Sequence, residues 1–139
     1  MAHYYLAFDY GLKNIGLAYG TDIGKSATEL APLKARDGIP DWNKVEQLLT
    51  EYQPHKVIIG LPLNMDGSVS ELSQRASKFG NRIHGRFGVA IELMDERLSS
   101  FEAKEEARAA GHNGDYGKNP IDSIAARLIL QSWFNQQLG

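Results

Sequence analysis

A chain of 139 residues is close to the commonest size of a single domain, and no linker or internal repeat interrupts it, so one domain over residues 1–139 is expected. With 42% hydrophobic and 23% charged residues it reads as an ordinary folded protein, and the lack of cysteine removes disulfides and thiolate metal sites, as suits a reducing cytoplasm. The formal charge of −2 argues against a protein that coats nucleic acid; Val57 to Leu63, the best apolar run, is too short to span a bilayer, and Met1-Ala2-His3-Tyr4-Tyr5 opens no export signal. A cytoplasmic protein with no membrane partner is the expectation.

Residues 3–9 and 15–21 are apolar and aromatic runs separated by Gly11-Leu12-Lys13-Asn14, a length that suits a hairpin. A third, more polar strand is expected near Thr28 to Lys34. Asp41 caps a helix through Tyr52, in which Val45, Leu48, Leu49 and Tyr52 recur at helical spacing before Pro54 forbids continuation. Val57-Ile58-Ile59-Gly60-Leu61 has the continuous apolar character of a strand buried on both faces. Ser70 opens a long helix, Val89 to Met94 forms a strand, and Ser99-Phe101-Glu102 looks like a capping box for a further helix. Residues 111–118 are loop material with three glycines, expected to be among the least ordered segments without substrate. Asn119-Pro120 then starts a final helix. This order predicts an α/β fold, a mixed sheet covered by helices on both faces.

Asp9 closes the first strand and is followed at once by Tyr10-Gly11. A strand delivers its last side chain to the sheet's edge, and a nearby glycine lets backbone or phosphate come close. Glu96 and Asp122, at a strand end and a helix start, complete a candidate carboxylate cluster for a divalent metal. Hard ions such as Mg²⁺ prefer carboxylate oxygen, and a pair of them roughly 4 Å apart can hold both the attacking water and the departing oxygen of a phosphodiester. Each acid also has a plainer reading. Asp9 can be a turn residue, Glu96 a surface partner of Arg97 or Lys104, and Asp122 an acid favoured by a helix N-terminus. Asp95 reads as structural and Asp66 as a turn residue of Asn64-Met65-Asp66-Gly67.

Positive charge is local. On the helix from Ser70, Leu72, Ala76, Phe79, Ile83 and Phe87 fall on one face, while Arg75, Lys78, Arg82 and Arg86 line up roughly 90–100° away. That row is either a solvated flank or a phosphate contact. Lys13, Arg97 and Lys118 lie beside the candidate acids in sequence and are further candidates for substrate phosphates. The four histidines share no ligand spacing, although His112 falls in the glycine-rich loop; Trp133 and Phe134 read as core.

Four blocks carry a resemblance: Asp9-Tyr10-Gly11 with Ile15-Gly16-Leu17-Ala18; Gly60-Leu61-Pro62-Leu63-Asn64-Met65-Asp66-Gly67; Asp95-Glu96-Arg97-Leu98-Ser99-Ser100; and Asp122-Ser123-Ile124-Ala125-Ala126 with Ile129-Leu130. In that order they resemble the YqgF, or RuvX-like, family of RNase H-fold nucleases over nearly the whole chain. The resemblance implies an RNase H-like (RuvC-like) mixed five-stranded sheet and a bacterial cytoplasmic enzyme. It implies a hydrolase of phosphodiester bonds that processes the 5′ end of precursor 16S rRNA, with Asp9, Glu96 and Asp122 as catalytic residues holding Mg²⁺ or Mn²⁺. Asn14, where the family often has arginine, leaves Lys13 alone as a phosphate contact. The alternatives are a Holliday-junction DNA resolvase, which needs a dimer, and a noncatalytic nucleic-acid or nucleotide-binding adaptor. The partner is thus structured RNA or branched DNA, and the protein a monomer or weak homodimer.

Overall fold

A computed structural model describes residues 3–62, 64, 66–95 and 121–137, with the side chains of residues 121–123 left out. Its strands are β1 (Tyr4–Asp9), β2 (Asn14–Thr21), β3 (Ala27–Arg36), β4 (Ile39–Pro40), β5 (Lys56–Leu61) and β6 (Ile91–Asp95). Its helices are α1 (Trp42–Tyr52), α2 (Glu71–Phe87) and α3 (Ile121–Gln137). The helix expected from Ser99 and the loop at residues 111–118 lie outside the described residues.

The sheet runs β4-β3-β2-β1-β5-β6. The antiparallel β1–β2 hairpin pairs Asp9 with Gly16, whereas β1–β5 and β5–β6 are parallel. Parallel neighbours need a crossover, and α2 supplies the one between β5 and β6. Gly11 sits where the hairpin turns: a Cβ there would run into the Asn14 carbonyl, so the tight return excludes any other residue.

Alternation along β1 splits the core in two. Leu6, Phe8 and Tyr10 join Val45 and Leu49 of α1 and Ala76, Phe79 and Ile83 of α2 on one face. Tyr5 and Ala7 join Ala18, Ile58 and the α3 residues Ala126, Ile129, Leu130, Trp133 and Phe134 on the other. Trp133 and Phe134 are core, as expected, and both rings pack on Tyr5. Trp133 also donates its indole N–H to Glu92 at 2.6 Å, while Lys56 holds the other oxygen of that carboxylate at 3.1 Å.

Caps bound α1 and α2 where the sequence places them, while the Asn119-Pro120 start expected for the last helix lies outside the described residues. Asp41 accepts from the Asn43 amide at 3.0 Å, and α1 stops at Tyr52 because Gln53 turns left-handed (φ 43°), one residue ahead of Pro54. Ser70 and Ser73 form a reciprocal capping box on α2, and the Ser70 hydroxyl also donates to the Pro62 carbonyl at 2.6 Å, tying the helix to the chain leaving β5. Ser70→Ala removes cap and tie together, so denaturant unfolding is expected to show a loss of about 1–2 kcal/mol.

Among the described residues the sheet has six strands, one more than the five expected. Asp37-Gly38 forms a two-residue turn with φ of 50° and 80°, returning β3 into β4, whose Ile39 and Pro40 pair with Arg36 and Ala35. A strand of two residues is too short to show the period-2 pattern by which strands are read.

Candidate functional site

Asp9 is the end of β1 and, at 9% exposure, a buried carboxylate. It follows Tyr5 and Ala7 in the alternation and therefore lies on the α3 side of the sheet. Its partner on β2 is Gly16 and its partner on β5 is Gly60, which is in turn opposite Met94 on β6. In register, therefore, the positions beside Asp9 on both adjacent strands are glycines. Asp95 pairs with Leu61 and so occupies the opposite face from Asp9.

Asp122 is the second residue of α3, one turn ahead of Ala126. Ala125 and Ala126 are buried, and Ala7, Ala18 and Ala126 share one cluster, so small side chains allow the helix to lie close on the sheet that carries Asp9. Farther along, the Gln131 amide oxygen accepts from the Ala27 N–H at 3.2 Å, and Arg127 pairs with Glu29 at 3.0 Å, fixing the helix across β3. Glu96, Arg97, Lys118 and His112 lie outside the described residues. Among the described residues no three His, Asp or Glu side chains converge on one point.

The cations of α2 divide. The Arg75 guanidinium donates to the Asp37 carboxylate at 3.3 Å and to its carbonyl at 2.6 Å, and the hydrogen bond to Asp37 raises its pKa above the usual arginine value. Arg86 lies over the Trp42 ring, 4.5 Å from its centroid. Lys78 and Arg82 instead join Arg75, Tyr10, Asp37, Gly38 and Ile39 in lining an open cleft of about 200 Å³. Lys13 is exposed on the β1–β2 turn, where its carbonyl accepts from the Ala35 amide at 2.8 Å.

Sequence reasoning missed Tyr10, Asp37 and Gly38. The Tyr10 hydroxyl donates to the Gly38 carbonyl at 2.8 Å, and the Gly38 amide donates to the Leu12 carbonyl at 2.9 Å, so the β3–β4 turn is fastened to the end of β1. At φ 80°, with the Tyr10 hydroxyl where a Cβ would stand, position 38 admits only glycine. The available signal was the Asp-Gly pair itself, a strong marker of a two-residue hairpin turn. Asp66 has the turn role expected of it, accepting from the Ser68 amide at 2.9 Å and from the Ser68 hydroxyl at 2.6 Å.

Among known proteins, one from Saccharophagus degradans named "Putative pre-16S rRNA nuclease" is 58% identical over 131 residues, covering 94% of this chain and 92% of its own. A protein of the same name from Chromohalobacter salexigens is 57% identical over 129 residues, covering 93% and 87%. The solved structure of T. thermophilus RuvC in complex with Holliday junction substrate aligns with 99% of this chain and 96% of that one, at a TM-score of 0.59 and 17% identity. The shared architecture is the RuvC-like RNase H fold, whose mixed sheet here has six strands. The family model described as "RuvX: Holliday junction resolvase" matches residues 3–136, and this chain belongs to that family.

Proposed function

We propose that this protein is a metal-dependent nuclease that hydrolyses phosphodiester bonds at the 5′ end of precursor 16S rRNA. The observation that carries this reading is Asp9, a buried carboxylate at the end of the first strand with glycine on both neighbouring strands. The names of relatives more than half identical over nearly the full chain support the choice of rRNA.

Asp9, Glu96 and Asp122 would hold Mg²⁺ or Mn²⁺, since carboxylate oxygens suit hard cations. Such an ion supplies the positive charge that phosphodiester hydrolysis needs on its attacking and departing oxygens. Asp9 contributes a fixed charge, because its strand is hydrogen-bonded on both sides and cannot shift alone. Lys13, Arg97 and Lys118 bind substrate phosphates, with Lys78 and Arg82 on α2 as further contacts and Arg75, held by Asp37, beside them. The reaction takes place in the cytoplasm.

A second reading, resolution of branched DNA, is favoured by the family's description. One experiment separates the two. Pure protein is incubated with end-labelled precursor rRNA and with a four-way DNA junction, each with Mg²⁺ or with chelator. Metal-dependent cutting of the rRNA alone is expected. Cutting of the junction alone would favour the resolvase, which needs two sites in a dimer, whereas an rRNA nuclease works as a monomer or weak homodimer. Cutting of neither would leave a noncatalytic adaptor.

A further inference from the structure

We propose that the cleft between the β3–β4 turn and α2 is a second phosphate-binding site. It lies on the other side of the sheet from Asp9, so that a structured RNA is gripped on both faces of the β1 end. The proposal rests on the nuclease reading and adds to it where the substrate runs.

Adjacent residues define the two sides. Asp9 follows the alternation onto the α3 face, whereas Tyr10 packs with Phe79 on the α2 face and lines the cleft. A substrate phosphate in the cleft and another beside Asp9 would straddle a single strand end.

The cleft has the charge and form of an anion site. Three cations line it against one carboxylate, and that carboxylate is already engaged by Arg75. Arg75, Lys78 and Arg82 are spaced by three and four residues and so form one row along the helix. Among the described residues, Lys78 and Arg82 have no carboxylate partner, while Arg75 and Arg86 are held by Asp37 and Trp42. Lys78 and Arg82 are therefore the binding groups and Arg75 a positioning residue.

The opposite wall is set in advance. The Asp37–Gly38 turn is held by Tyr10, by the Leu12 carbonyl and by Arg75, so little ordering remains to be done on binding. A volume of about 200 Å³ is several water volumes of about 30 Å³ each, enough for a phosphate and its nearest waters but not for a duplex. Exposed Ile39 in its lining offers apolar surface to a sugar or base.

The test compares binding of a folded precursor-rRNA fragment and of a dinucleotide to the parent and to the Lys78→Gln/Arg82→Gln variant over a salt series. For the folded RNA the variant is expected to lose affinity on the order of tenfold and to flatten the logarithmic salt slope by about one to two. The dinucleotide has a single internucleotide phosphate and cannot occupy both faces at once, so it should bind both proteins alike at the Asp9 side. Equal loss with both ligands would mean general electrostatic attraction and would overturn the two-sided grip, as would no loss with either. Metal-dependent cutting of the same fragment by the parent is measured in parallel: its absence counts against the nuclease reading, whatever the cleft does.

Discussion

Asp9→Asn is expected to abolish nuclease activity while leaving the fold at least as stable as the parent in chelator. Asparagine keeps the size of the side chain and much of its hydrogen bonding, so what it removes is charge. The loss of rate should be at least on the order of a hundredfold, as when one preorganised charged or polar contact is taken from a transition state. Mg²⁺ affinity, read by calorimetry on the same sample, should fall with it. Stability should not, because a buried carboxylate is costly to keep charged, and the proposed neighbours Glu96 and Asp122 would add repulsion when no cation is present. An Asp9→Asn variant that unfolds more readily and still cuts would make Asp9 a turn residue, the plainer of its two readings. The amide variants of Glu96 and Asp122 are expected to behave in the same way, which turns three separate sequence positions into one testable cluster.

Patterns with a clear physical period were legible from the residues. The two-sided burial of β5 shows as Val57-Ile58-Ile59, and the structure buries all three. The apolar row of α2 shows at spacings of three and four, and Ala76, Phe79 and Ile83 are its core contacts. Caps were legible because they need a specific oxygen at a specific position: Asp41 and Ser70 each accept the hydrogen bond their place in the sequence implies. Element order could therefore be read, but sheet order could not, since nothing local in β5 states that it lies beside β1 rather than β3.

The site was legible in part. Asp9 stands out because a charged residue ends an apolar strand beside glycine. The glycines opposite it, Gly16 and Gly60, come from two other strands and become its neighbours only through register. The basic row on α2 was visible on a helical wheel, but a wheel assigns its residues one common role. Contacts divide them: Asp37, separated from Arg75 by 38 positions, turns one cation into a structural brace, and Trp42 engages another. Such partners are distant in sequence, and charge patterning along one helix holds no trace of them.

Ala126→Leu offers a test of how the last helix serves the site. Ala126 is fully buried against Ala7, Ala18 and Ile58, where a larger side chain has to push α3 off the sheet. Overpacking of this kind costs about 1–3 kcal/mol, which for a domain of this size lowers Tm by about 4 °C per kcal/mol. The expected functional loss is larger than that stability loss implies. Asp122 is one turn along the same helix, and a shift of about 1 Å in a catalytic group can cost on the order of a hundredfold in rate. Val45→Ala provides the control, since it removes buried volume from α1 on the opposite face and leaves α3 alone. Measured well below both melting points, the Val45→Ala protein should cut at close to the parent rate, and the Ala126→Leu protein should not. If the two lose activity only in proportion to their stability, the closeness of α3 to the sheet serves packing alone and Asp122 has no part in the reaction.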